Sequence, residues 1–246
     1  MRVNTLLLNS FYFSSISGFH NHNSFTLHSN RRNHIDIFDE PKPPDGYEYW
    51  NDPRIHNFGN TGFGGMIHAR LAPFITRAID NIAYDGRDIR KEIYHDWTER
   101  NLKILDFCCG TGTSTPPGAT GVDTSKEMIR QAINLNNNEK TDFHIGNAED
   151  WGESYGYNVV TCMFGFHEMP RSARFRVIEN CIRVTDEKVV IIDIDPLYTP
   201  SESMLSGEPY VLDYLKYMER DMKLYGGVKT TIISGHVARW DFHKTL

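Results

Sequence analysis

An α/β fold built on a mostly parallel sheet is predicted by three observations. At residues 104–115, ILDFCCGTGTST, an apolar run ends in an acid, Asp106, and breaks into Gly110-Thr111-Gly112. At Gly121-Val122-Asp123 a second apolar step ends in another acid. Further apolar runs at 143–145, 158–164 and 189–194 are separated by stretches of helical periodicity. A strand, a glycine turn and a second strand closed by a carboxylate suit a nucleoside. Glycines let the backbone approach a ligand closely, and the acid accepts hydrogen bonds from sugar hydroxyls. The chain is therefore expected to bind a nucleoside-bearing cofactor at the C-terminal edge of the sheet.

The elements follow in order. Residues 1–35 contain Arg2, Arg31 and Arg32, no Asp or Glu, and a short apolar patch around Leu6 to Leu8. This composition reads as a targeting segment, with an organelle (plastid or mitochondrion) as destination, against the alternatives of a disordered tail and a cytoplasmic protein. Residues 36–100 form an expected N-terminal cap: a Pro-rich acidic stretch, a flexible loop at Gly59, Gly62, Gly64 and Gly65, and a helix at 66–80 kinked by Pro73. Residues 101–246 are the expected cofactor-binding domain. Its strands lie at 103–108, 120–122, 143–145, 158–164 and 189–194. Thr124 or Ser125 caps a helix at 126–135. A helix follows Pro170, another spans 210–224, and Ser234-Gly235 closes a terminal hairpin of 228–233 with 236–242. The segment 113–119, TSTPPGA, is too short and too rich in proline for a helix, so a tight loop is expected there.

A dinucleotide site would continue the glycine turn as G-x-G-x-x-G/A, and here the third small position is Thr115. No G-K-[ST] follows, which argues against a triphosphate. The run from Ile104 resembles the hydrophobic-hydrophobic-Asp-x-Gly-x-Gly-x-Gly pattern of the class I S-adenosylmethionine-dependent methyltransferases, with Cys108 replacing the first glycine. GVDTSKEMI, FHIGNAED, YNVVTCMFGFHEMP and KVVIIDIDP resemble that family's later segments in the right order. The resemblance covers roughly residues 100–246. It implies a Rossmann-like, seven-stranded, mostly parallel sheet with a C-terminal antiparallel hairpin. It also implies S-adenosylmethionine as cofactor, methyl transfer as activity, and cofactor contacts from Asp106, Cys108, Gly110, Thr111, Gly112, Asp123, Thr124, Met128, Asn147, Ala148 and Phe164.

Within that set, Asp123 is expected on the ribose. Asp106 is expected near the cofactor's amino group, or as a brace for the turn. Asn147 either accepts from the adenine amino group or is a plain turn residue. Phe164 is expected at the methionine end, and Trp151 on the adenine or in the core. His167 and Glu168 follow the fourth strand. His167 is the candidate general base for an oxygen nucleophile, because its unperturbed pKa lies near neutrality, and Glu168 orients it or stays exposed. Tyr198 and His236 are secondary pocket candidates.

Bulk properties set the limits. Hydrophobic content of 39% and charged content of 24% suit a globular domain. A net charge of −6 argues against nucleic acid as an electrostatic partner, and no apolar run is long enough to span a bilayer. Cys108, Cys109, Cys162 and Cys181 show no C-x-x-C spacing and read as reduced core residues, so no metal is expected. A small-molecule acceptor is expected, its reacting atom open among oxygen, carbon and nitrogen. A cofactor-binding scaffold without catalysis and a nicotinamide oxidoreductase are the alternative readings.

Overall fold

The computed structural model describes residues 48–57 and 59–243; the expected targeting segment and part of the expected cap lie outside them. Seven strands form one sheet in the order β3-β2-β1-β4-β5-β7-β6. They are β1 Ile104–Phe107, β2 Thr120–Asp123, β3 Asp142–Ile145, β4 Tyr157–Met163, β5 Thr185–Ile194, β6 Val228–Ile233 and β7 Val237–His243. The first five pair in parallel; β7 runs antiparallel to β5, and β6 to β7. This is the expected sheet, including its terminal hairpin.

The central strands are apolar on both faces because both faces are covered. On one face Leu105, Phe107, Val160 and Ile191 pack with Val177, Ile178, Cys181, Met218 and Met222. These come from helices α4 (Arg171–Val184) and α6 (Val211–Leu224). On the other face Ile104, Val159, Val190 and Ile192 pack with Ile89, Ile93 and Trp97 of α2 (Ile89–Glu99). Each buried side chain of this size contributes about 1.5–3 kcal/mol relative to exposure.

Helix α1 spans Gly62–Ala83, starting four residues before the expected position. The glycines taken for a flexible loop lie largely inside it, and Gly65 is there for close packing. A Cβ on Gly65 would sit 2.4 Å from the Asn60 carbonyl oxygen. Before α1, two 3-10 helices, Tyr49–Asn51 and Ile55–Asn57, form a strap across the end of the sheet. Helix α3 occupies Lys126–Leu135 as expected, with Ser125 Oγ accepting from the Met128 N–H at 3.2 Å. A short helix α5, Glu202–Gly207, lies inside the linker that follows β5.

No helix joins β1 to β2, as the prolines predicted. The loop is closed by the Gly118 N–H donating to Thr141 Oγ1 at 2.8 Å and the Ala119 N–H to the Pro116 carbonyl. The turn after β1 is left-handed at three residues: Cys108 (φ 55°), Gly110 (φ 53°) and Gly112 (φ 80°). Cys108 thus holds, at some strain, the conformation for which a glycine would be the easy choice.

The two glycines of the turn should respond differently to a methyl group. A Cβ on Gly112 would meet Phe143 Cζ at 2.8 Å, whereas one on Gly110 meets nothing within 4 Å. Gly110→Ala is expected to cost about 1–2 kcal/mol, the left-handed penalty alone. Gly112→Ala is expected to cost about 2–4 kcal/mol, because overpacking adds to that penalty. Urea unfolding of both variants checks the order; equal losses would refute the packing role of Gly112.

Candidate active site

Two cavities open beside the C-terminal ends of the parallel strands. The smaller is lined by Cys108, Asp123, Thr124, Asn147 and Ala148, with Gly165 and Glu168 at one side and Tyr49, Trp50 and Ile55 of the strap above. Its volume is about 60 Å³.

Asp123 ends β2 in this cavity. One carboxylate oxygen accepts from the Gly110 N–H at 2.9 Å and the other from the Ser125 N–H at 2.8 Å. A carboxylate has about four acceptor positions, so two remain for a pair of ribose hydroxyls. Burial lifts its pKa to about 6, against the lowering effect of the two backbone donors. The donor set therefore fits an adenosine-bearing cofactor, with Asp123 on the sugar and the turn beneath it.

Other expected contacts are placed differently. Asp106 lines neither cavity. It is fully buried, and it accepts from Ser114 Oγ (2.8 Å), Thr115 Oγ1 (2.7 Å) and Thr161 Oγ1 (2.7 Å). Of its two expected roles, the brace for the turn is the one seen. Asn147 borders the small cavity, but its Oδ1 accepts from the Glu149 N–H at 3.0 Å, the contact of a turn residue. Met128 is buried away from both cavities, and Thr111 is buried in the turn. Trp151 packs edge-on against Phe107 and fills the space beside Gly146, so it belongs to the core. Phe164 (φ 60°) lines the larger cavity, with the Arg90 guanidinium 4.6 Å above its ring.

The larger cavity has a volume of about 650 Å³, within the range of sites for drug-sized molecules. Leu71, Ala72, Ile75 and Ile79 of α1 form one wall. Met204, Ile194 and Tyr198 form another, and Tyr198 and His236 meet edge to face with centroids 5.4 Å apart. The polar end gathers His56, His68, His167, Glu168 and Glu208. Among the described residues, Glu168 alone borders both cavities.

His167 and Glu168 belong to a 3-10 helix, Phe166–Glu168, after β4. The group that orients His167 is Asp193, near the end of β5, in place of the expected Glu168. Asp193 Oδ1 lies 2.7 Å from His167 Nδ1, and Oδ2 accepts the N–H groups of Phe166 (2.8 Å) and His167 (3.1 Å). Only Nε2 remains for a molecule in the cavity. Burial alone would lower the His167 pKa, but the Asp193 carboxylate overrides it and holds the imidazole at about 9. Tyr214 supports the ring edge to face at 6.2 Å and donates its hydroxyl to the Ile194 carbonyl. The sequence signal for Asp193 was an acid inside the apolar run VVIIDID, which has no reason to be there without donors to satisfy it.

Glu168 faces the strap. Its Oε1 lies 3.0 Å from His56 Nε2, while Glu208 Oε1 lies 2.9 Å from His56 Nδ1. Burial would lower His56, but the two carboxylates raise it. Burial would raise Glu168, and the His56 charge holds it below the usual range. Neither His56 nor Glu208 carried a sequence motif.

Residues 104–188 match the family described as a methyltransferase domain. No curated protein matches the chain. Among solved structures, magnesium protoporphyrin IX methyltransferase from Synechocystis PCC 6803, with bound S-adenosylhomocysteine, is 15% identical. That alignment covers 70% of this chain and 99% of that one at a TM-score of 0.45. An S-adenosylmethionine-dependent methyltransferase from Aquifex aeolicus is 14% identical over 58% of this chain and 82% of its own, at 0.44. A protein from Pyrococcus horikoshii OT3 is 18% identical over 63% and 90%, at 0.45.

The ribose role of Asp123 has a graded test. Asp123→Ala would remove the ligand contact and the acceptor for two backbone donors together, whereas Asp123→Asn keeps the side-chain shape and one of those two acceptors. It is expected to weaken S-adenosylmethionine binding by about 1.5–3 kcal/mol, the range for hydrogen bonds to a charged group. In the native protein the carboxylate is ionised above about pH 6 and protonated below. Affinity should therefore fall as pH drops through that value, and Asp123→Asn should lose this dependence. Calorimetric titrations between about pH 5 and 7.5 check both; unchanged affinity in the folded variant would remove Asp123 from the site.

Proposed function

We propose, for a chain whose residues 104–188 match a methyltransferase domain, that it transfers methyl groups from S-adenosylmethionine, that the large cavity holds a small, mostly apolar acceptor and that the methylated atom is an oxygen seated on His167 Nε2. S-adenosylmethionine supplies a methyl group already activated on a sulfonium. The protein's task is to align the acceptor and exclude water.

The observation that carries this reading is the placement of the Asp193–His167 pair. It lies at the polar end of an apolar pocket, next to Glu168, where the pocket meets the cofactor side. Asp193 fixes the ring and makes Nε2 more basic than a free imidazole. An acceptor oxygen that arrives ionised meets an imidazolium donor. One that arrives as a hydroxyl gives its proton to the neutral imidazole as the methyl group is transferred. Both cases place the same oxygen on the same nitrogen, and one proton is shared between them. An amine acceptor, which needs a free lone pair, would gain little from a cationic donor. The apolar walls of α1 and of the linker after β5 suit an aromatic or aliphatic skeleton with one ionisable hydroxyl.

The test uses the full chain, S-adenosylmethionine labelled in its methyl group, and a panel of apolar aromatic acceptors paired as hydroxyl and amine analogues. Label is expected in the O-methyl products. His167→Ala should lower turnover by about 10²- to 10⁴-fold, the usual worth of a positioned acid–base group, while S-adenosylmethionine affinity stays within about threefold. Label confined to N-methyl products, or full turnover by folded His167→Ala, would overturn the reading.

A further inference from the structure

At the mouth of the large cavity, three ligand-bearing side chains converge from three separate elements. His56 comes from the strap, Glu168 from the 3-10 helix after β4, and Glu208 from the residue that ends α5. One ligand atom from each lies within 4.8 Å of the other two. We propose that His56, Glu168 and Glu208 form a binding site for one divalent ion of the Mn²⁺ or Zn²⁺ kind, with its remaining coordination positions facing the cavity.

The hydrogen-bonded trio is incomplete without such an ion. Glu208 is only 5% exposed; its Oε1 meets His56, but its Oε2 is buried with no partner. An unsatisfied buried polar atom is costly, more so on a charged group. The trio also sets two carboxylates beside one another in a largely apolar pocket. A divalent ion answers both features by giving the two carboxylates a common partner, with the imidazole contributing one nitrogen. Bonds to such ions of about 2.0–2.2 Å place ligand atoms up to about 4.4 Å apart, so small side-chain rotations close the set.

The ligand chemistry narrows the ion. One imidazole and two carboxylates, with no thiolate, suit borderline to hard divalent metals and do not select for soft ones. Three protein ligands with open positions are the pattern of a site that also binds a substrate atom. All three residues line the large cavity, so an oxygen of a bound molecule can complete the coordination. His68 stacks beside His56 with centroids 4.1 Å apart, and its Nδ1 lies 3.2 Å from Asn60 Oδ1. It lies outside the trio and packs the His56 ring in place.

The experiment needs neither cofactor nor acceptor, so its failure is separable from that of the methyl-transfer reading. The full chain is stripped with a chelator and titrated calorimetrically with Mn²⁺ and with Zn²⁺ alone, in buffers of different ionisation enthalpy. One ion per chain is expected. Glu208→Gln and Glu168→Gln keep side-chain shape and remove one charge each. Each is expected to weaken binding by at least about 10²-fold, with folding checked by circular dichroism. Binding of Co²⁺ followed by its visible spectrum gives a second readout, which His56→Ala should alter. Absence of saturable binding, or equal affinity in wild type and Glu208→Gln, would overturn the proposal and leave the trio as a hydrogen-bonded latch only.

Discussion

The loop after β4, which lines the larger cavity, hangs from one buried carboxylate. Asp193 accepts four hydrogen bonds: from the N–H groups of Phe166, His167 and Ile194 and from the His167 ring. That number fills a carboxylate's usual capacity. Two of these bonds hold the backbone of the loop after β4 onto β5, one fixes the catalytic candidate's ring, and one closes the group on its own strand. Position and chemistry are therefore set by a single group that has no freedom left. Arg174 and Arg171 secure the far side of the same region. Arg174 donates to the Met169 carbonyl at 2.7 Å, and Arg171 makes a bidentate pair with Asp221 of α6.

The strap couples the two cavities. Ile55 lines the smaller cavity and His56, the next residue, lines the larger one. The backbone achieves this by left-handed conformations at His56 (φ 54°) and Asn57 (φ 61°). Ser125 Oγ donates to the Asn60 carbonyl at 2.6 Å, and Ser206 Oγ donates to Asn57 Oδ1 at 3.2 Å. The strap is thus tied to the capping residue of α3 on one side and to α5 on the other. A shift that widens the smaller cavity must also move a wall of the larger one.

The sheet was legible because its strands are uninterrupted apolar runs broken by glycine or polar turns. Asp123 at the cavity edge was legible because it follows such a run. The start of α1 was not, since glycine discourages helix and nothing local reveals that Gly65 must pack against Asn60. For Asp106 and Asn147 the pattern left a ligand role and a turn role both open, because the serine and threonine hydroxyls and the backbone N–H that engage them depend on the folded turn. His56, Glu208 and Asp193 escaped for a common reason. Their meaning lies in partners distant along the chain, and only the fold brings those partners within hydrogen-bonding distance.

The missing helix between β1 and β2 also bears on the order of folding. Leu105 pairs with Thr120, and Thr120 in turn with Asp142, whereas Ile104 must find Val159 to join β1 to β4. Closing a loop roughly fourfold longer costs about 1 kcal/mol more in chain entropy, and local contacts favour early assembly. A parallel strand pair ordinarily requires a long crossover; here it is nearly as local as a hairpin. The β3-β2-β1 edge of the sheet is the part whose strands meet at least entropic cost. The other half, completed by β7, assembles against it.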